Sequence, residues 1–309
     1  MLDIKENEPL AKHSTFGVGG NALFGIAAHT VAELQEAITF ADEKKLPWRV
    51  LGGGSNLLVS DVGFPGVIIW YQNRDLLIEG NAVIAGAGAI TAAVAGASVR
   101  AGLTGFEWGA GVPGTIGGAV HGNAGATGGE MKDSVVSVSV LENGEVKKYS
   151  AAECKFGYRD SVFKNLPHAI ILSATLQLAH AADAAGPVAK MREVLEYRIK
   201  TQPKGVPSSG CTFKNVEIEE RAVPQLRAFG VPENFLAAHR VPAGWLIEKA
   251  NLKGAVQGGA KISEVHGNFM VTAPGATAAD IAALIDLAKE KVAAQFGVQL
   301  HEEITRLNI

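Results

Sequence analysis

The chain has 309 residues, of which 47% are apolar and 19% charged, and its formal net charge of -3 is spread without blocks of like charge. This composition indicates a globular protein long enough for two domains, and it excludes a broad basic face for nucleic acid or an anionic membrane. The sequence has no run of 18 apolar residues, and its first 13 residues are polar and charged where a signal peptide would be apolar. We therefore expect a cytoplasmic protein. With only Cys154 and Cys211, we expect neither a structural disulfide nor a zinc site, and no metal site is predicted.

The first half of the chain alternates short helices and strands. Thr30 is a predicted N-cap, and apolar residues at helical spacing predict a helix from there through Lys45. Strands are predicted at 48–51, 57–59, 67–71 and 83–87, a helix at 90–101, a hairpin of strands 134–141 and 146–149, and a long strand at 169–178. The composition changes at 179–186 (AHAADAAG), which predicts a domain boundary.

The second half begins with a predicted helix from Pro187, at its first position, to about Lys200. One face of this helix carries four apolar residues, Met191, Val194, Leu195 and Ile199. A loop follows at 202–215, then helices at 242–250 and 278–296 and strands at 269–272 and 299–307, whereas 217–241 shows no assignable pattern. The whole pattern predicts an α+β fold with two domains, residues 1–182 and 183–309.

Glycine is concentrated in two clusters. Leu51 leads into the first cluster, Gly52, Gly53, Gly54, Ser55 and Asn56, and the segment 109–130, GAGVPGTIGGAVHGNAGATGGE, holds nine glycines and forms the second cluster. Glycine at this density destabilises helix and strand alike, so it is typical of a backbone that approaches a ligand closely. The first cluster lies between two predicted strands and opens no helix, which excludes a Rossmann fingerprint. Its backbone N–H groups can still bind a pyrophosphate as an anion nest. The alternative is a pair of glycine-rich loops without function.

Three polar residues are candidates for chemistry. Arg159 can clamp a carboxylate by two parallel hydrogen bonds, although a surface pair with Asp160 is the simpler explanation. Cys211 follows Gly210 in a loop and can present a thiol as a proton donor, or it can be a small buried apolar residue. Glu303 follows Glu302 in a predicted strand, where alternation directs one of the two inward. The alternative for Glu303 is a solvated strand edge without a chemical role.

Seven motifs in order carry a family resemblance across nearly the whole chain. They are TFGVGG (15–20), LGGGSNLLVSD (51–61), GVPGTIGGAVHGNAGATGGE (111–130), GYRDSVFK (157–164), SGCTFKN (209–215), AGWLIEKANLKG (243–254) and LHEEITRL (300–307). In this order they closely resemble the UDP-N-acetylenolpyruvoylglucosamine reductases. The two glycine clusters alone would indicate only the wider family of FAD-binding proteins related to vanillyl-alcohol oxidase.

The resemblance implies an FAD-binding domain of the PCMH type followed by a substrate-binding domain, with FAD held non-covalently. In that family NADPH reduces the flavin, which then reduces the enolpyruvyl ether of UDP-N-acetylglucosamine to UDP-N-acetylmuramate, a peptidoglycan precursor. It implies that Arg159 polarises the substrate carboxylate, Cys211 occupies the position of the proton donor and Glu303 assists the enolate. The implied FAD contacts are Gly52, Gly53, Gly54, Ser55, Asn56, Gly111, Pro113, Gly114, Thr115, Gly117, Gly118, Asn123 and Gly125, and the implied substrate contacts are Lys200, Lys214 and Asn215.

The chain departs from the family pattern in three ways. Cys211 stands where the family usually has serine, the segment 216–241 is longer than expected, and the chain resembles the shorter members that lack an extra tyrosine-bearing loop. We expect a monomer without nucleic-acid or membrane partners. Two other functions fit the glycine clusters: an FAD-dependent oxidase acting on another substrate, and a flavin-binding protein without catalysis. Retention of all three candidate residues argues against the second.

Overall fold

In the computed structural model, which describes residues 2–126 and 128–308, the chain forms two compact units that interleave in sequence. Unit 1 comprises the residues up to Glu8, Ala22–Gly54 and Pro65–Lys200. Unit 2 comprises Pro9–Asn21, Ser55–Phe64 and the residues from Thr201 onward. These limits differ from a single boundary between residues 182 and 183. The helix after that boundary groups with unit 1, and two short early segments group with unit 2.

The described residues contain eight α-helices: α1 (Val31–Glu43), α2 (Thr91–Arg100), α3 (Ile116–His121), α4 (Ala185–Thr201), α5 (Val223–Ala228), α6 (Glu233–Ala237), α7 (Ala243–Lys249) and α8 (Ala278–Phe296). The strands are β1 (Ile4–Pro9), β2 (Asn21–Ala28), β3 (Trp48–Leu51), β4 (Leu57–Val59), β5 (Phe64–Tyr71), β6 (Leu76–Glu79), β7 (Ala82–Gly86), β8 (Leu103–Thr104), β9 (Gly125–Ala126), β10 (Gly129–Glu130), β11 (Val135–Glu142), β12 (Glu145–Ser150), β13 (Ile170–Gln177), β14 (Ala179–His180), β15 (Val216–Glu217), β16 (Arg240–Val241), β17 (Val256–Gln257), β18 (Ala260–Ile262), β19 (Met270–Thr272) and β20 (Thr305–Leu307).

Unit 1 is built on two sheets. One has the strand order β1-β2-β5-β3, in which β3 and β5 are parallel, and the other has the order β12-β11-β13-β7-β6 with antiparallel neighbours. Apolar side chains from both sheets and from α1, α2 and α3 share one buried cluster that includes Ile26, Leu34, Val94, Val120 and Leu176. A single core of this size provides the rigid support on which the glycine-rich segment lies.

Unit 2 has its own core around the long helix α8. Ile281, Leu284, Ile285, Ala288 and Val292 line the buried face of this helix at the spacing of one helical stripe. Strands β4, β18 and β19 and helices α5 to α7 supply further apolar residues of the cluster. Asp61 accepts hydrogen bonds from the backbone N–H groups of Ala278 and Ala279, at 2.7 and 3.0 Å, and so satisfies two free donors at the start of α8.

Most predicted elements are confirmed, and local signals such as helix caps and turn residues account for several of them. Thr30 closes a capping box with Glu33 at the start of α1, and Thr277 does the same with Asp280 at the start of α8. The turn between β11 and β12 has Asn143 and Gly144 at positive φ, as an Asn-Gly hairpin requires. The first glycine cluster lies between β3 and β4 and opens no helix.

Two predictions need correction, and two segments without a predicted element contain helices. Only 305–307 of the predicted strand 299–307 is a strand, so Glu303 lies in irregular chain before it. The helix α4 begins at Ala185, which puts Pro187 third, and its predicted apolar face is only partly covered: Leu195 is 40% and Ile199 57% exposed. The unassigned stretch 217–241 contains α5, α6 and strand residues, with Leu226 and Leu236 in the core of unit 2. The glycine-rich segment itself contains α3.

Candidate active site

The two glycine clusters meet in unit 1. A Cβ added at Gly53 would lie 3.0 Å from the Cα of Gly114, and one added at Gly52 would lie 2.6 Å from the Thr115 hydroxyl oxygen. Backbone therefore faces backbone here, with Gly54 and Gly114 at φ +64° and +101°, a region that favours glycine. The sequence-predicted residues Gly52, Gly53, Gly114 and Thr115 are brought together as one surface.

The segment 114–117 is also fixed from its other side. Gly114 O accepts from Thr91 N (3.1 Å), and Ile116 N and Gly117 N donate to the carbonyls of Ala89 and Ala87 (both 2.9 Å). The Thr115 hydroxyl caps α3 by accepting from Gly118 N. These bonds hold the glycine-rich segment on the connection between β7 and α2, so its backbone is set before any ligand arrives.

Several glycines of the segment have packing partners within the protein. A Cβ would meet Phe106 at Gly109, Val194 and Arg198 at Gly111, Ala87 at Gly117, the Gly129 carbonyl at Gly125 and the Trp108 indole at Gly129, each at 3.0 Å or less. Close packing thus accounts for these glycines without a ligand. It does not account for Gly118, where an added Cβ has only the Thr115 hydroxyl within 4 Å, at 3.7 Å.

Arg159 lies in unit 1 beside the glycine-rich segment. Its side chain is half-buried, its Nη2 donates to the carbonyl of Gly125 at 2.8 Å, and its own carbonyl accepts from Lys164 Nζ at 2.6 Å. The backbone of Arg159 has φ +53°, which is uncommon for a residue with a side chain and is found where the surroundings hold it. Asp160 forms a small turn with Gly157 through paired backbone hydrogen bonds.

Cys211 and Glu303 are connected in unit 2 through Thr212. Glu303 N donates to Thr212 O at 2.8 Å, directly beside the half-buried Cys211, which itself forms an isolated antiparallel bridge with Phe269. Asn56 holds the same turn: its Nδ2 donates to Glu303 O (2.9 Å), and its carbonyl accepts from Thr305 N (2.9 Å). Unit 2 therefore brings Cys211, Glu303 and Asn56 of the first glycine cluster into one neighbourhood.

The carboxylate of Glu302 has a different environment from that of Glu303. Arg306 donates to it through Nε (2.7 Å) and Nη2 (2.9 Å), and Lys289 of α8 also donates to it. Burial alone would raise the pKa of Glu302, but the hydrogen bonds and charges of Arg306 and Lys289 outweigh it and hold the pKa below its usual range. Glu302 is thus engaged in fixing the chain, which leaves Glu303 as the candidate for chemistry.

The three predicted substrate contacts are divided between the two units. Lys200 is exposed near the end of α4 in unit 1. In unit 2, Lys214 N donates to His301 O at 2.8 Å, and Asn215 Oδ1 accepts from Ala243 N, the first residue of α7, at 3.3 Å. One acceptor of Asn215 is therefore already used to cap a helix.

Two buried polar residues that support the site were missed from the sequence. Asn268 is 2% exposed and braces the Cys211 segment: its Oδ1 accepts from Phe213 N (2.9 Å), its Nδ2 donates to Phe213 O (2.8 Å), and its carbonyl accepts from Thr212 N (2.8 Å). Glu107 is fully buried and accepts from the Thr104 hydroxyl (2.5 Å) and Gly105 N (3.0 Å) at the entry to the glycine-rich segment. Neither lies in a motif with a mechanism, so only the fold shows what they contact.

The site fits a flavin dinucleotide, whose pyrophosphate needs close backbone approach and N–H donors. The two clusters form a glycine-lined surface in unit 1, and Gly118 has room for a neighbour that the described residues do not supply. No cluster of three or more metal-ligating side chains occurs among residues 2–126 and 128–308. No helix in the described part of the chain is long and apolar enough to cross a membrane.

Comparison with known proteins agrees with this geometry. Residues 22–150 match a family model described as FAD binding domain, and residues 202–307 match the model of the UDP-N-acetylenolpyruvoylglucosamine reductase C-terminal domain. The reductase of that name from Bacillus velezensis is 38% identical over 97% of this chain and 93% of its own length, and that from Bacillus subtilis is 36% identical over 96% and 92%. The crystal structure of the Thermus caldophilus reductase is similar over 99% of this chain and 98% of its own, with 32% identity and a TM-score of 0.78.

The fold and site define an FAD-dependent oxidoreductase, with an α+β FAD-binding domain of the PCMH type followed by a C-terminal domain typical of one enzyme family. Identity of 38% spans nearly the whole chain and nearly the whole of the relatives. The chain therefore belongs to the UDP-N-acetylenolpyruvoylglucosamine reductase family.

Proposed function

We propose that the protein reduces the enolpyruvyl ether of UDP-N-acetylglucosamine to UDP-N-acetylmuramate, a precursor of peptidoglycan, with NADPH as the reductant. Family membership across 97% of the chain supports the reaction. The observation that supports assigning this reaction to the site is the hydrogen bond from Glu303 N to Thr212 O, next to Cys211. Two groups that can hold or donate a proton are thereby fixed on neighbouring backbone.

The residues divide the task by charge. When bound, FAD supplies the hydride that NADPH provides. Addition of that hydride to the terminal vinyl carbon moves negative charge toward the substrate carboxylate, and a cation at the carboxylate stabilises this charge more in the transition state than in the ground state. Arg159 supplies the cation, because a guanidinium can bind a carboxylate through two parallel N–H bonds.

A proton must also reach the carbon next to the carboxylate. Cys211 is the proposed donor, since it is half-buried in the segment that Asn268 and Glu303 hold in place. Glu303 assists the enolate that precedes protonation. Asn215, Lys214 and Lys200 are the proposed contacts for the diphosphate and uridine, whose negative charge suits the two lysines.

The pyrophosphate of FAD is assigned to the glycine clusters. The proposed contact that the protein's own packing leaves most open is at Gly118, while Gly52, Gly53, Gly111, Gly117 and Gly125 shape the same surface through close packing. Gly54 is also assigned to this surface. Ser55, Asn56, Pro113, Gly114 and Thr115 remain proposed neighbours of the flavin.

We also propose that the protein is a cytoplasmic monomer without nucleic-acid or membrane partners.

Arg159→Lys tests the carboxylate assignment. The variant keeps the positive charge but loses the paired N–H groups, so turnover should fall by about tenfold or more while flavin reduction by NADPH stays near the wild-type rate. The two half-reactions are measured separately by flavin absorbance. Equal losses in both half-reactions would remove Arg159 from this role.

The same measurement on the wild-type protein tests the alternative function. Rapid reoxidation by oxygen with no response to the enolpyruvyl substrate would favour an oxidase.

A further inference from the structure

Three side chains connect the Arg159 segment to the glycine-rich segment. Asn123 Nδ2 donates to Gly157 O (2.7 Å), Arg159 Nη2 donates to Gly125 O (2.8 Å), and Ser161 Oγ donates to His121 O (2.7 Å). Residues 121, 123 and 125 are thus bonded to residues 161, 157 and 159, respectively. Each bond joins a side chain to a backbone carbonyl, which fixes the position of the backbone as well as that of the side chain.

Asn123 is the most deeply buried member of this network. It is 0% exposed, and its backbone has φ +42°, a conformation that asparagine adopts more readily than most residues. Its Nδ2 donates both to Gly157 O and to Glu130 Oε2 (each 2.7 Å), and its Oδ1 accepts from Lys132 N (3.0 Å). An amide nitrogen has two hydrogens, so both are used within the protein.

Because both amide hydrogens are used within the protein, the Asn123 side chain has no N–H group left for the flavin, although the sequence predicted it as a flavin contact. A donor to the pyrophosphate would have to give up Gly157 or Glu130, leaving a buried acceptor without its partner. Gly157 is two residues before Arg159, and Gly125, which receives the guanidinium, is two residues after Asn123. The side chain of Asn123 thus holds the backbone just before Arg159, and the side chain of Arg159 holds the backbone just after Asn123.

We propose that Asn123 is a positioning residue for Arg159, which sets the guanidinium for the substrate carboxylate, and that it is not a ligand of the flavin. The proposal rests on the proposed role of Arg159. It links the two functions of unit 1: the segment that carries the flavin-binding glycines also carries the support of the carboxylate clamp. The side chain acts through Gly157 and not through contact with a substrate.

The test is Asn123→Gly, because glycine adopts the left-handed backbone readily and the substitution removes the side chain with its amide. A matched control is Asn143→Gly in the exposed turn between β11 and β12, where asparagine has φ +52°. Asn123→Asp is the second variant should the glycine variant not fold, since it keeps the acceptor for Lys132 N and replaces the two amide N–H donors by at most one carboxyl O–H. Gly118→Ala serves as the comparison for damage to flavin binding.

We expect the Asn123 variants to retain FAD and to be reduced by NADPH within about twofold of the wild-type rate, as Asn143→Gly is. Reoxidation by the enolpyruvyl substrate should slow by about tenfold, and the double variant with Arg159→Lys should be no more than about twofold slower than the slower single variant. A structural readout is independent of turnover: labelling of Arg159 in the holoenzyme by phenylglyoxal, mapped by mass spectrometry, should become faster in Asn123→Gly and stay unchanged in Asn143→Gly.

Other results would overturn the proposal. Loss of FAD with normal reoxidation per bound flavin would make Asn123 a flavin contact, like Gly118. Effects of Asn123→Gly and Arg159→Lys that multiply, or unchanged labelling of Arg159, would show that the two residues act independently. Failure of the proposed function would appear in the wild type itself, as reduced enzyme that the substrate does not reoxidise, and the labelling rates would still decide whether Asn123 holds Arg159.

Discussion

Gly117 and Gly118 are adjacent in α3, yet an added methyl group would meet different surroundings at each. At Gly117 it would lie 2.9 Å from the Cβ of Ala87, whereas at Gly118 it has space. Gly118→Ala should therefore leave the apoprotein as stable or more stable, by up to about 1 kcal/mol from helix propensity. It should weaken FAD binding, because the methyl group would occupy the space assigned to the cofactor.

Gly117→Ala is the matched control for this prediction. It should lower the melting temperature of the apoprotein, since the methyl group collides with Ala87. FAD affinity is measured by fluorescence titration and stability by thermal unfolding. An unchanged FAD affinity in Gly118→Ala would place the cofactor away from α3.

Cys211 gives the oxidative half-reaction a distinctive expected pH dependence. A serine hydroxyl does not ionise in the working range, but a thiol ordinarily titrates near pH 8.5, and only the protonated form can donate. Reoxidation of the reduced enzyme by substrate should therefore decline on the alkaline side with an apparent pKa at or below about 8.5. Flavin reduction by NADPH should not share that decline.

Two substitutions separate proton donation from packing. Cys211→Ser should stay active and lose the alkaline decline, while Cys211→Ala should stall with reduced flavin and bound substrate. Stopped-flow reoxidation against pH distinguishes the three forms. If the alanine form is reoxidised as fast as the wild type, Cys211 is a packing residue and Glu303 becomes the first candidate donor.

At the scale of elements, the irregular segment before β20 places two adjacent carboxylates in different roles. Glu302 is held by Arg306 and Lys289, and its lowered pKa means that the folded state binds its proton less tightly than the unfolded chain. Its contribution to stability is therefore present above the unfolded pKa of about 4.3 and is lost as the pH falls toward the lower folded value. Glu302→Gln should reduce the free energy of unfolding at pH 7 by about 1–3 kcal/mol and flatten its decline in acid.

Glu303→Gln is the control at the next residue. We expect it to unfold like the wild type and to lose activity in the oxidative half-reaction. Chemical denaturation between pH 3 and 7, with rates measured on folded protein, separates the two effects. The assignment is contradicted if Glu302→Gln loses turnover while Glu303→Gln loses stability.

The local elements were predictable from sequence because their signals are local. The Thr30 and Thr277 caps, the Asn143–Gly144 turn and the apolar stripe of α8 each need only a few neighbouring residues. The segment 299–307 alternates like a strand but is held by isolated hydrogen bonds to Thr212, Lys214 and Asn56, residues far away in sequence. Short helices such as α3 are likewise stabilised by tertiary packing and not by propensity.

The candidate site was predictable in part for the same reason. Motifs identified Arg159, Cys211, Glu303 and the glycine clusters, but a motif does not show what each residue contacts. The buried supports Asn268 and Glu107 carry no pattern of their own. The sequence does not show that Gly111, Gly117 and Gly125 are closely packed within the protein whereas Gly118 has open space beside it; only the neighbours of each glycine show this.

At the scale of the whole molecule, the residues of the first glycine cluster belong partly to one compact unit and partly to the other. Gly52–Gly54 group with unit 1, and Ser55 and Asn56 group with unit 2. Arg159 and the second cluster belong to unit 1, whereas Cys211 and Glu303 belong to unit 2. The residues proposed for the reaction are thus divided between the units: the carboxylate cation belongs to unit 1 and the proton-handling groups belong to unit 2.

The most direct measurement is anaerobic stopped-flow absorbance of the purified protein at the flavin bands, with NADPH added first and the enolpyruvyl ether of UDP-N-acetylglucosamine second. The account predicts a yellow protein that NADPH bleaches and the substrate reoxidises, with one UDP-N-acetylmuramate formed per flavin. UDP-N-acetylglucosamine, which lacks the enolpyruvyl group, should not reoxidise it. A bleached protein that stays reduced with the enolpyruvyl substrate and recovers its colour only in air would contradict the account.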